Sequence, residues 1–320
     1  MSKYKLLASE LKNSKILITG GTGFFGKNLL HFFRNLNNIF NANIELYVLT
    51  RNKNQFLKKY PEFNCNFISY IMGNIKNFNN ANISFDYVIH AATKVETHSE
   101  LNSDLFDNIV NGTKHLISIV KRTNKNARLL FISSGAVYGT QPPELTHISE
   151  KFQCNPITSY GKGKLEAEKS CLDSGIHTSI ARCFTFTGPY LPLNAHFAIG
   201  NFILNGINNT PIIINGDGSP YRSYMYTSDL VEWLMTILLS GKTNEIYNVG
   251  SDIPVSILEL AKKVNSYFNN KLNIIVKEKP PLNITPARYI PSIEKAKNQL
   301  KLNLNMSLDK AISKTVKSYL

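Results

Sequence analysis

Tyr160 and Lys164, in SYGKGKLEAEK, stand four residues apart, which puts them on one face of a helix. A phenol, with an ordinary pKa of about 10, is a poor base near neutrality. An ammonium beside it favours the phenolate and brings it toward acid–base chemistry, and the same lysine can reach a ribose hydroxyl of a bound cofactor. The spacing alone describes a solvated surface pair just as well. What makes it specific is its company: Ser133-Ser134 closes an apolar run, and KILITGGTGFFG, Lys15 to Gly26, is a stretch around which the chain is organised. In that stretch an apolar run stops at glycines and Phe24, Phe25, Leu29, Leu30 and Phe32 continue as a helix. Gly20, Gly23 and Gly26 fit GxxGxxG, and Gly21, Gly23 and Gly26 fit GxGxxG, the dinucleotide fingerprint. Residues without a Cβ let the backbone turn sharply and approach a pyrophosphate whose charge the helix N-terminus meets.

The elements that must position these groups emerge from the pattern of apolar runs. After Ile16–Ile18 they recur at Ile44–Leu49, Phe67–Met72, Tyr87–Ala92, Leu129–Ser133 and Thr178–Ala181, with helical patterns between several of them. Strands alternating with helices predict an α/β fold with a doubly wound parallel sheet of the Rossmann kind. Such sheets bind ligands at the C-terminal ends of their strands, so the residues after each run are where chemistry is expected. Composition shifts near Gly188-Pro189-Tyr190-Leu191-Pro192. The expected organisation is a dinucleotide-binding domain over 1–187 and a smaller α/β substrate domain over 188–320, with about 223–250 returning to the first.

Arg51 comes after the second strand, where a dinucleotide site usually carries an acid for the ribose 2′-hydroxyl. An arginine there pairs with a 2′-phosphate, so NADP is expected over NAD; stacking of the guanidinium on adenine would suit either. Asn74, after the third run, is placed to meet the adenine edge or to serve as a turn residue.

The chain has 320 residues, a net charge of +14 and four cysteines, Cys65, Cys154, Cys171 and Cys183, without paired or metal-ligand spacing. No metal is expected. The lysines are dispersed, with no basic run or RNA-binding signature, so the charge suits an anionic small molecule and nucleic acid is not expected. No apolar run reaches the ~18 residues of a membrane span and the N-terminus lacks an apolar signal core, so a cytoplasmic protein without a membrane partner is expected.

Taken together, TGGTGFFG, VIHAAT, SSGAVYG, the YxxxK of Tyr160 and Lys164, RCFTFTGPY, GDGSPYRSYMYTSDL and YNVGS resemble, in order, the motifs of the extended short-chain dehydrogenase/reductases, the NAD-dependent epimerase/dehydratases of nucleotide sugars. The resemblance implies that Ser134, Tyr160 and Lys164 are catalytic. It implies that Gly20, Gly23, Phe24, Phe25, Gly26, Arg51, Asn74, Ile75, Ala91, Ala92 and Lys164 hold the cofactor. Arg222 would contact the sugar nucleotide's diphosphate, with Ser134, Asn201 and Arg288 as further substrate contacts, and a homodimer would form through helices flanking Asn108–Arg122 and Tyr160–Cys171.

Departures narrow the chemistry. The resembling 4,6-dehydratases carry Asp and Glu, or at least Glu, after the catalytic hydroxyl; here Gly135 and Ala136 stand there and cannot exchange protons. Gly163 and Thr185 replace a usual serine and asparagine. The expectation is hydride transfer at a sugar keto or hydroxyl carbon, C4 above others, by a 4-ketoreductase. A 4-epimerase with bound NAD is the alternative, ahead of a 4,6-dehydratase or a non-catalytic NADP-sensing protein.

Overall fold

Each apolar run of the first half becomes a strand of one sheet. The computed structural model describes residues 3–79, 82–93, 103–195, 197–280 and 284–320. Strands β1 (Lys15–Thr19), β2 (Glu45–Thr50), β3 (Ile68–Met72), β4 (Tyr87–His90), β5 (Arg128–Ser134) and β6 (His177–Cys183) join Glu245–Val249 in a seven-stranded parallel sheet. Its order is Glu245–Val249, β6, β5, β4, β1, β2, β3. Four of the five β1 residues are buried, as expected where helices cover both faces of a parallel sheet. Strand order reverses between β1 and β4, and at such a switch point the loops diverge and leave a crevice at the strands' C-terminal ends.

The helices of this part are α1 (Lys3–Glu10), α2 (Phe24–Phe40), α3 (Lys53–Lys59), α4 (Ser103–Thr123) and α5 (Ser159–Leu172). α2 buries Leu29, Leu30, Phe33 and Leu36, one apolar stripe at helical spacing, and ends where Asn41 turns left-handed at φ 50°. Asparagine takes most such left-handed positions: among the described non-glycine residues, Asn13, Asn41, Asn43, Asn82, Asn209, Asn244, Asn269 and Asn270 have positive φ, with Tyr190 and Lys301. α5 approaches α4 closely at Gly163, where a Cβ would stand 3.2 Å from the Ile109 side chain. No described helix is long and apolar enough to cross a membrane.

The chain forms two compact units, the first comprising residues 1–139, 154–182 and 231–247 and the second 140–153, 183–230 and 248–320. Polar side chains fasten the second unit's loops. Asn248 donates through Nδ2 to the carbonyls of Ile148 and Ser292, while the Asp229 carboxylate accepts from the backbone N–H groups of Asn305 and Met306. Its short strand Tyr221–Arg222 pairs with Arg288–Tyr289 and Val255–Ser256.

One buried ion pair stands out in the first unit. Arg182 on β6 grips Glu168 on α5 through Nε and Nη2, at 3.0 and 2.7 Å, with both side chains almost wholly buried. Burial disfavours the charged guanidinium, but the bonds and charge of Glu168 outweigh it and push the Arg182 pKa up, so the arginine is held charged. Breaking such a pair strands one charge in a low-dielectric interior. Glu168→Ala is therefore expected to lose about 3–5 kcal/mol of stability, and Glu168→Met combined with Arg182→Met to recover most of it. Denaturant unfolding of the three proteins checks this.

Candidate active site

The glycine turn has the form that its composition demands. Gly20 has φ +74°, and a Cβ on it would lie 2.5 Å from the Ala91 carbonyl oxygen; a Cβ on Gly26 would lie 2.3 Å from Gly21 Cα. These two positions are closed to any side chain, the first by conformation and contact and the second by the packing of α2 on the turn. Gly23 differs. It is the exposed N-cap of α2, and a Cβ there would meet only the Gly20 carbonyl, at 3.3 Å. A side chain at Gly23 would project into the open side of the turn, the space that a pyrophosphate needs. No side chain caps α2 and no acid lies in its first turn, which begins with the half-buried Phe24 and Phe25. The helix's positive end is thus presented to an anion, and the turn fits a dinucleotide.

Ala91 and Ala92 leave β4 across this turn. The Ala91 N–H donates to the Thr19 carbonyl and the Ala92 N–H to Thr19 Oγ1, at 3.1 and 3.2 Å, so the two segments are tied edge to edge. The continuation of VIHAAT at residues 94–102 lies outside the described residues. Ile75 packs on α4, where a Cβ at Gly112 would meet it at 2.7 Å. Asn74 is a turn residue: it is exposed, and its Oδ1 accepts from the Lys76 N–H. Arg51 is exposed and makes no hydrogen bond or ion pair among the described residues.

The candidate reacting groups stand at the end of β5 and the start of α5. Ser134 is the last residue of β5 and accepts from the Ala136 N–H at 3.1 Å, which leaves its hydroxyl hydrogen to donate to a reacting oxygen. Thr158 caps α5 by accepting from the Gly161 N–H, and this places Tyr160 in the helix's first turn. A Cβ on Gly161 would stand 2.6 Å from the Ala136 carbonyl, so α5 begins hard against the turn after Ser134. Lys164 is buried, 5.9 Å from the Tyr160 ring centroid and 4.9 Å from that of Phe131, and it donates to the Ile132 carbonyl at 2.7 Å. Ser134, Tyr160, Lys164 and the glycine turn with Ala91–Ala92 all belong to the first unit's sheet edge and the helices that rise from it.

Arg222, Arg288 and Asn201 belong to the second unit. Register sets Arg222 opposite Tyr289 and Tyr221 opposite Arg288, and the Arg288 guanidinium lies over the Tyr221 ring at 4.6 Å. The two half-buried arginines thus share one small sheet, while Asn201 is exposed on the helix Ala198–Ile207.

Glu168 is a functional neighbour that no sequence motif singles out. Its carboxylate accepts from Ser133 Oγ at 2.5 Å as well as from Arg182, and Arg182 stacks on Tyr138, which ends the turn after Ser134. The spacing held a signal: Tyr160, Lys164 and Glu168 succeed one another at four-residue intervals on one helix face.

Residues 16–250 match the model of the NAD dependent epimerase/dehydratase family. The UDP-glucuronic acid decarboxylase 1 of Danio rerio is 27% identical over 97% of this chain and 74% of its own length. The decarboxylase 1 of Arabidopsis thaliana is 30% identical over 66% of this chain and 49% of its own. Similar solved structures include the UDP-glucuronic acid 4-epimerase of Bacillus cereus with UDP-glucuronic acid and NAD, at TM-score 0.78 and 22% identity over 95% of this chain and 98% of that one. The dTDP-glucose 4,6-dehydratase of Bacillus anthracis with NAD gives 0.79 and 20%, over 96% of each. The family is described by its use of NAD, and the preference for NADP expected from Arg51 finds no support in these likenesses. With the family model covering most of the chain, this protein belongs to the NAD-dependent epimerase/dehydratase family, whose relatives here are enzymes of nucleotide sugars.

Proposed function

We propose that the protein oxidises C4 of a nucleoside-diphosphate hexose and returns the hydride to the same carbon, acting as a 4-epimerase with retained NAD. The observation that carries this reading is the neutral turn beside the reacting groups: Ser134, Tyr160 and Lys164 supply oxidation and reduction, and Gly135-Ala136 supply no further acid or base.

Bound NAD supplies the hydride acceptor. Tyr160 takes the C4 hydroxyl proton as the C–H pair leaves as hydride, and gives it back when hydride returns. Ser134 donates to the same oxygen, and Lys164 favours negative charge on the phenol. Arg222 and Arg288 would hold the diphosphate, whose paired oxygens suit a guanidinium's planar fork. Positioning is the larger part of the catalysis, since the reacting carbon must present either face to one hydride site.

A second reading is favoured by the relatives named UDP-glucuronic acid decarboxylase. On a hexuronate the C4 ketone is β to the carboxylate, and loss of carbon dioxide needs no acid where Gly135 and Ala136 stand. A net 4-ketoreductase would use the same three residues. The 4,6-dehydratase reading lacks its acid and base.

A panel separates these outcomes. UDP-glucose carrying deuterium at C4 is expected to give its 4-epimer with the label kept and no net use of added cofactor. Pentose formation from UDP-glucuronic acid would establish the decarboxylase reading instead, and stoichiometric NADPH consumption with a 4-keto sugar the reductase. For Tyr160→Phe, turnover is expected to fall by about three orders of magnitude while NAD affinity stays within about threefold. Steady-state rates and equilibrium NAD titration of the variant check that split.

A further inference from the structure

Beneath the glycine turn, side chains from β1, β4 and α4 form one continuous chain of hydrogen bonds. The Ala92 N–H donates to Thr19 Oγ1 at 3.2 Å, and Thr19 Oγ1 lies 2.7 Å from His90 Nδ1. His90 Nε2 lies 2.9 Å from Thr113 Oγ1, whose hydroxyl donates to the Ile109 carbonyl at 2.7 Å. Thr19, His90 and Thr113 are buried.

The direction of every bond in this chain is forced from its far end. A carbonyl oxygen only accepts, so Thr113 commits its single hydrogen to Ile109 and can only accept from the ring. Burial, reinforced by the nearby Lys164 ammonium, pushes the His90 pKa down to about 3, so the imidazole carries one proton. That proton must lie on Nε2. Nδ1 is then a bare acceptor, Thr19 spends its hydrogen there, and the Thr19 oxygen faces Ala92 with lone pairs only. Reversing the ring tautomer would set two lone pairs against each other at Thr113.

Burying three polar side chains that merely fill space costs more than an apolar trio would, because each must find its partner. What the polar set adds is orientation, and it adds it at the turn: the Ala91 carbonyl and Gly20 are already in contact, so movement of Ala92 is felt at once in the glycine backbone. We propose that His90 and Thr113 are positioning residues of the cofactor cradle, acting through the Thr19 hydroxyl to fix the Ala91–Ala92 backbone across Gly20. The proposal rests on the reading of this turn as the NAD site and names residues that need not touch NAD themselves.

The wild-type protein labelled with 15N-histidine gives the direct test, with the His90 signals assigned by their loss in His90→Gln. Two-bond nitrogen–hydrogen couplings are expected to show a neutral Nε2–H ring that does not titrate between about pH 5.5 and 8, where an ordinary histidine would. Thr113→Val keeps the side chain's shape and removes its hydroxyl; Thr113→Ser keeps the hydroxyl. The valine variant is expected to lose the single tautomer and to bind NAD about tenfold more weakly, as befits one lost oriented hydrogen bond, with the serine variant restoring both. An Nδ1–H ring in the wild type, or a valine variant with wild-type NAD affinity, overturns the relay. Failure of the wild type to take up NAD at all overturns instead the cofactor reading, whatever the tautomer.

Discussion

The grip of α5 on β5 is the constraint on which the candidate active site depends. Lys164 bonds the carbonyl of Ile132 and Glu168 bonds the hydroxyl of Ser133, so side chains one helical turn apart hold successive residues of a strand. The next residue along is Ser134, and one turn back along the helix is Tyr160. A helix that slid or rotated on the sheet would break both buried bonds and strand two charges. The separation of the phenol and the serine hydroxyl is therefore set by the packing of α5 on β5, which is how a site on rigid elements achieves the alignment its chemistry needs.

Lys164 has two duties in this arrangement. One of its three hydrogens is committed to the Ile132 carbonyl, and its charge bears on the buried His90. That ammonium, 5.9 Å from the Tyr160 ring centroid, also helps keep the histidine neutral, because a second cation in that space would be repelled.

Much of this was legible in the sequence because it depends on residue type and spacing. Gly20 and Gly26 are dictated by a left-handed φ and by contacts that no side chain survives, so the turn could be read from three letters. Tyr160 and Lys164 could be singled out only in company with the glycine turn and Ser133-Ser134, since their spacing alone fits a surface pair as well. Asn74 could not, since a turn and an adenine contact call for the same residue, and the structure commits its Oδ1 to the turn. Nor could Arg51, whose guanidinium suits a 2′-phosphate or plain solvent equally. The Glu168–Arg182 pair and the Thr19–His90–Thr113 relay were beyond reach because each joins elements distant in the chain, and only the sheet order brings them together. The motifs common to the family describe oxidation at a sugar carbon. Beside the candidate reacting groups stand Gly135 and Ala136, which are small and neutral.

The preference for asparagine at left-handed positions bears on how the molecule ages. Asparagine side chains are chemically labile, and each one that loses its amide nitrogen becomes an acid. Asn41 closes the C-terminal end of α2, where the helix already presents its negative pole, so an aspartate there opposes the dipole that the original residue left undisturbed. Repeated at the other seven positions, the same conversion would steadily erode the +14 charge of the chain. A protein kept for long would thus lose positive charge at its turns, and at Asn41 the end of α2 would be opposed as well.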